Sequence, residues 1–202
     1  MTNSGRKITS KMNKLVKVAK WGGMVFTAQE LAVIWGYSDE RKLFETIKYY
    51  VRSREFFAIA RGLYAWQDYS EKEIRNNVAL QYQIANKLIP NSYISLYTVL
   101  KSEGVIDQYY DTVYSVCERR ASRAVKGVKF EYRRVKSNIL WSDWGVNKGN
   151  GARVASLERA VLDTWYCEPS WELERTEKIN VLQLREGAKY YGGSVERRAI
   201  SC

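Results

Sequence analysis

Apolar positions in the first third of the chain recur at helical spacing, and then the spacing shortens. Leu15, Val16, Val18 and Ala19 sit among Lys11, Lys14, Lys17 and Lys20 ahead of Trp21-Gly22-Gly23, which predicts a short basic helix with a glycine stop. Val25-Phe26 reads as a brief extended segment. Thr27-Ala28-Gln29-Glu30 is a capping box: the threonine and glutamate side chains are spaced to satisfy amides that a helix start leaves open. The helix it opens runs through Leu31, Val33 and Trp35 and is closed by Gly36. A further helix, beginning at Ser38 or Asp39, places Leu43, Phe44, Ile47, Tyr50 and Val51 in one stripe. Arg41, Lys42, Glu45, Tyr49 and Arg52 share its opposite face. After Ser53, Phe56 to Ala60 and Leu63 to Trp66 flank Arg61-Gly62, two short strands about a tight turn. This order of helix, helix, turn, helix and hairpin is the plan of a winged helix-turn-helix, whose second motif helix enters the DNA major groove.

Beyond Trp66 the pattern changes. Ser70-x-x-Glu73 is a second capping box, and Ile74, Val78, Tyr82 and Ala85 predict one helix over about 71–88, ended by Pro90. Asn91 to Leu100 reads as a helix capped by Asn91 or Ser92 and stopped by Gly104. Thr112 to Cys117, Val128 to Val135 and Ile139 to Trp141 are β-rich runs. Asn147 to Gly151 is a glycine-bearing loop or hairpin connection, Ala152 to Ala155 a further strand, and Ser156 the cap of a helix through Trp165. A last helix is expected from Asn180 or Val181 to about Tyr191, followed by a basic end with Arg197 and Arg198. The expectation is an α+β protein: a winged helix-turn-helix domain at 1–70, and a mixed helix-sheet domain at 71–202 with a linking helix at about 71–88.

Composition narrows the function. With 46% hydrophobic residues in 202, the chain has enough apolar side chains for one core or two small ones. Lys and Arg number 33 against 22 Asp and Glu, a net charge of +11, so the field attracts a polyanion. Through Trp66 there are twelve cations, Arg6, Lys7, Lys11, Lys14, Lys17, Lys20, Arg41, Lys42, Lys48, Arg52, Arg54 and Arg61, against five acids, a net of +7. One third of the chain therefore carries most of the excess. Histidine is absent, which removes the commonest general base and the commonest metal ligand. Cys117, Cys167 and Cys202 are widely separated, which suits reduced thiols better than a metal or redox pair. The chain shows neither a spanning segment of about 18 apolar residues nor a signal peptide, so a cytoplasmic protein without a membrane partner is expected.

For duplex DNA, the expected contacts are Arg41, Lys42, Tyr49 and Arg52 on the recognition helix, Ser38 at its start facing a phosphate, and Arg61 at the wing tip. An exposed helix face of this kind also serves solvation alone; the coincidence of a basic face with a wing arginine favours DNA. A second basic surface is possible from Arg119, Arg120, Arg123, Lys126, Lys129, Arg133, Arg134 and Lys136, for DNA, for toxin-bound nucleic acid or only for water. A nuclease would need converging carboxylates, and Glu158 and Asp163, near Asp143 in sequence, are five apart on one helix. The pairs Tyr49-Tyr50, Tyr109-Tyr110 and Tyr190-Tyr191 suit core packing better than stacking on single-stranded bases. No catalytic residue, metal site or cofactor is expected.

The residues also carry a resemblance. Phe26-Thr27-Ala28-Gln29-Glu30-Leu31, Ile59-Ala60-Arg61-Gly62-Leu63-Tyr64, Pro90 to Leu100 with Gly104-Val105, and Ala155 to Asp163, in that order, resemble the AbiEi family, the antitoxins of type IV toxin-antitoxin systems in abortive-infection phage defence. The resemblance spans most of the chain. It implies a winged helix joined to an α/β antitoxin domain and a transcriptional repressor bound to inverted repeats in its own promoter. It also implies neutralisation of a co-encoded nucleotidyltransferase toxin without a stable complex. The alternatives are a winged-helix regulator without antitoxin activity and a nucleic-acid-processing enzyme.

Overall fold

The computed structural model describes residues 3–107, 111–173 and 175–201, with side chains of the first helix described from Met12 onward. The side chains of Arg6, Lys7 and Lys11, and the pair Tyr109-Tyr110, lie outside the described residues. The chain is α+β and divides into two compact units, Met1–Asn76 and Asn77–Cys202.

The first unit runs α1 (Asn3–Trp21), β1 (Val25–Thr27), α2 (Ala28–Trp35), α3 (Glu40–Arg52), β2 (Phe56–Ala60), β3 (Leu63–Trp66) and α4 (Glu71–Asn76). Its antiparallel sheet has the order β1-β3-β2, so the first strand closes onto the far hairpin strand and ties the start of α2 to the sheet. The capping box forms as the sequence predicts: Glu30 N–H donates to Thr27 Oγ1 at 3.1 Å, and Thr27 N–H donates to Glu30 Oε2 at 2.8 Å. Gly36, at φ 70, ends α2. The core is aromatic. Phe56, fully enclosed, has its ring centroid 4.7 Å from Phe26, 5.2 Å from Tyr50 and 5.5 Å from Trp66, and stacks on Trp35 at 6.2 Å.

The second unit follows as α5 (Val78–Leu88), β4 (Tyr93–Ile94), α6 (Tyr97–Ser102), β5 (Thr112–Cys117), β6 (Ala121–Val125), β7 (Val128–Arg134) and α7 (Ser137–Leu140). It continues with β8 (Val146–Gly149), β9 (Ala152–Ala155), α8 (Leu157–Cys167), a 3-10 turn at Thr176–Lys178, α9 (Val181–Ala188) and α10 (Gly193–Ser201). Six strands form one mixed sheet in the order β6-β7-β5-β4-β9-β8, with β5–β7 and β4–β9 parallel. Side chains alternate across it. Tyr132 donates its hydroxyl to the Ala85 carbonyl of α5 at 2.8 Å, whereas Tyr93 and Ser95 reach Asp163 of α8. Helix α5 thus covers one face and α8, with α6 against it, the other.

Several expectations are corrected. The helix expected over 71–88 is two, because Asn77 turns extended and its side chain accepts from Leu80 N–H at 3.0 Å, starting α5 afresh. The helix expected from Asn91 begins only at Tyr97: Tyr93 and Ile94 form a central strand, fully buried between β5 and β9. The chain leaves that strand through Leu96 at φ 57, a costly conformation for a branched residue, held by burial of its side chain. Ile139 to Trp141 is the end of one helical turn rather than a strand, and Ala121–Val125, outside the β-rich runs read from the sequence, is the edge strand paired to β7. The basic end is helix α10. Within α9, Gly187 is required by packing, since a Cβ there would lie 2.0 Å from the Trp144 ring.

Candidate nucleic-acid interface

Helix α3 is anchored by what it buries. Leu43, Ile47 and Tyr50 enter the aromatic core, with Phe44 and Val51 half-buried beside them, and burial raises the Tyr50 phenol to about 12. At about 100° per residue this fixes the outward face: Arg41, Lys48 and Arg52 fall in one row, with Lys42 and Tyr49 along its flank. All five are exposed; the side chain of Arg41 is 89% accessible and that of Lys42 71%. Lys48 is not among the contacts expected from the sequence, although its position seven residues after Arg41 places it in the middle of the row.

Two of the cations hold local carboxylates. Arg41 Nε lies 3.4 Å from Glu45 Oε1, and Lys42 Nζ lies 3.7 Å from Asp39 Oδ2. Pairs this exposed are weak and exchange readily for a phosphate. Arg61 is exposed at the β2–β3 turn, where Gly62 at φ 73 supplies the left-handed residue of the reversal.

Ser38 needs correction as the residue at the helix start. Asp39 is the N-cap, its carboxylate accepting from Lys42 N–H at 3.1 Å, so Ser38 lies one residue before the cap. Ser38 is exposed and outside the helix. Lys14 is likewise not a free surface cation: it donates to the Tyr37 hydroxyl and lies 4.6 Å from the Tyr37 ring centroid, while its carbonyl accepts from Trp35 Nε1 at 3.2 Å. Burial pushes the Tyr37 phenol up, but hydrogen bonds to Lys14 and Thr46 outweigh it and leave the group below its ordinary value. These bonds bind α1 to the body of the unit. Sequence reasoning missed them because the lysine spacing of α1 looks uniformly solvated.

In the second unit the basic run divides. Arg133 and Arg134, successive on β7, face opposite sides of the sheet. Arg133 is half-buried and reaches Glu168 Oε1 at 3.4 Å; Lys129 holds Glu131 at 2.9 Å, and that contact keeps the Glu131 carboxyl below its usual range. Lys126 stands at φ 52 in the β6–β7 turn, and Arg134 and Lys136 are exposed. Arg119, Arg120 and Arg123 gather instead at one cavity.

The acids weighed for a nuclease do not converge. Asp143 is exposed on Lys148 at 3.0 Å, Glu158 accepts from Asn180 N–H at 3.2 Å, and Asp163 is enclosed by the hydroxyls of Tyr93, Ser95 and Tyr191. Among the described residues, no helix is long and apolar enough to cross a membrane. No protein-family model matches the chain, and no curated protein matches it.

Proposed function

We propose that the first unit is a winged helix-turn-helix that binds duplex DNA, and that the chain is an autorepressor and antitoxin acting against a co-encoded nucleotidyltransferase toxin. The observation that carries the DNA reading is the cation row Arg41, Lys48 and Arg52, displayed on a helix whose opposite face is locked into an aromatic core. A helix that presents fixed cations meets DNA without first ordering itself: Lys48 and Arg52 suit phosphates, and Arg41, with Lys42 and Tyr49 beside the row, supplies hydrogen-bonding groups for base edges. The element order, with the hairpin of Arg61 following α2 and α3, and the closing of β1 onto that hairpin support the winged-helix assignment. A dimer on inverted repeats in the promoter would double the contacts and set the half-site spacing.

The antitoxin part rests on the resemblance to the AbiEi family, and with it the reading as a non-enzyme. A gel shift on the chain's own promoter, titrated with salt, tests the first part; binding indifferent to salt would sink it. Co-expression with the neighbouring gene, scoring growth with and without this chain, tests the second. Promoter binding without rescue of growth would leave a plain regulator.

A further inference from the structure

The second unit holds a cavity of about 370 Å³ between the bend at Ile89-Pro90-Asn91, the β5–β6 turn and the end of α7. Its volume falls within the range of small-molecule sites, roughly 300–1,000 Å³. Three arginines, Arg119, Arg120 and Arg123, are among its lining residues, with one acid, Glu118. Among the described residues, the Arg119 and Arg120 side chains hold neither an ion pair nor a hydrogen bond, and Arg123 gives one Nη1 bond to the Ser122 carbonyl at 2.9 Å. On the neighbouring strand, by contrast, Lys129 and Arg133 are both paired with carboxylates. Gathering three like charges against a single counter-charge costs free energy that a bound anion would return.

The turn that carries the arginines is held in place. The Cys117 thiol donates to the Arg119 carbonyl at 2.7 Å, Val135 N–H donates to the Cys117 carbonyl at 3.1 Å, and β6 is registered on β7 with Ala121 opposite Tyr132. Ile89, Pro90, Leu140 and Trp141 add apolar lining. Leu140 is buried and Trp141 is 58% exposed. A large indole left in solvent beside unpaired arginines combines a stacking surface for a base with forked donors for phosphate oxygens.

We propose that this cavity binds a nucleoside di- or triphosphate, with the phosphates on Arg119, Arg120 and Arg123, the base against Trp141 and the apolar lining, and Glu118 accepting from a ribose hydroxyl. One aromatic face takes one base, and a concave site of this size encloses a mononucleotide better than it tracks a strand. The proposal is independent of the DNA reading, which concerns the first unit.

The test is calorimetric titration of the full chain with ATP, GTP, AMP, adenosine, pyrophosphate and a single-stranded oligonucleotide. Saturable binding of one nucleotide per chain is expected, triphosphate tighter than monophosphate and adenosine weakest. Arg119→Ala with Arg120→Ala should weaken it by about tenfold or more, and Trp141→Ala by about tenfold, with Trp141→Phe restoring most of the loss. Unchanged thermal midpoints of the unliganded variants would exclude misfolding, and Arg119→Lys with Arg120→Lys gives a milder second series. The proposal is overturned if no nucleotide saturates, or if binding ignores both sets of variants. It is equally overturned if pyrophosphate binds as tightly as ATP without regard to Trp141, or if the oligonucleotide binds far more tightly than the mononucleotides. Promoter binding by the Arg119→Ala, Arg120→Ala variant, read separately, reports only on the first unit.

Discussion

Arg159 and Asp163, one turn apart on α8, are joined through a third residue: the Tyr93 hydroxyl accepts from Arg159 Nη2 at 2.9 Å and donates to Asp163 Oδ1 at 3.1 Å. The arginine is 1% exposed and the aspartate not at all. Each has further partners, Arg159 in the carbonyls of Ile139, Ser142 and Trp144, Asp163 in the hydroxyls of Ser95 at 2.6 Å and Tyr191 at 2.6 Å. The network thus ties the central strand, the α7–β8 connection and the helix layer together.

Removing the bridging oxygen should therefore be costly out of proportion to its size. Tyr93→Phe is expected to destabilise the protein by about 1–3 kcal/mol, because it leaves donors of Arg159 and an oxygen of Asp163 buried and less well satisfied. Asp163→Ala, which removes the acceptor of three buried hydroxyls and the counter-charge of Arg159, should cost about 3–5 kcal/mol. Urea unfolding measures both; a loss below about 0.5 kcal/mol for Tyr93→Phe would mean that water replaces the hydroxyl.

The same network sets a pH dependence. Burial pushes the Asp163 carboxyl above its ordinary value of about 3.8, against the pull of Arg159 and of the Ser95, Tyr191 and Tyr93 hydroxyls. A carboxyl raised in the folded state takes up a proton on folding. Its contribution is complete below the unfolded value and is lost as pH rises through the folded one. The stability of the wild type relative to Asp163→Asn is expected to fall as pH rises through that window, and an increase would show that the arginine dominates.

At the proposed DNA face, Arg41→Ala should cost roughly 1–3 kcal/mol and relax base preference, as expected for a residue reading base edges. Arg61→Ala and Lys48→Ala should weaken binding to all duplexes and lower the salt slope by about one unit each. Competition gel shifts at several salt concentrations separate the two patterns. Wild-type affinity and slope in all three variants would remove this face from consideration.

Cysteine reactivity offers an independent check on the second unit. Burial raises the Cys167 thiol to about 12 and pushes Cys117 up as well, so neither forms much thiolate near neutral pH. Cys202 lies outside the described residues, so the measurement uses Cys202→Ser. In that variant both remaining thiols should react slowly with a disulfide reagent at neutral pH and rapidly once denaturant is added. Rapid labelling of the native protein would show thiols more open to solvent than these raised values imply.

Local chemistry was enough for the helices and hairpin of the first unit between Thr27 and Trp66. Thr27 and Glu30 cap the helix that follows them, Gly36 ends it, and the stripe from Leu43 to Val51 orients α3, because each signal acts across a few residues. Other features depended on distant partners. Tyr93 and Ile94 are buried on both faces of a central strand, so they lack the alternation that marks a strand and blend into the helical spacing after Pro90. Arg133 and Arg134 look like one basic pair until the pleat sends them to opposite sides, and no neighbour of Arg159 in the chain announces that residues 93, 139, 142 and 144 surround it. Capping and periodicity are properties of neighbours in the chain, whereas burial of a charge and the gathering of Arg119, Arg120 and Trp141 at one cavity arise only when segments far apart in sequence are packed together.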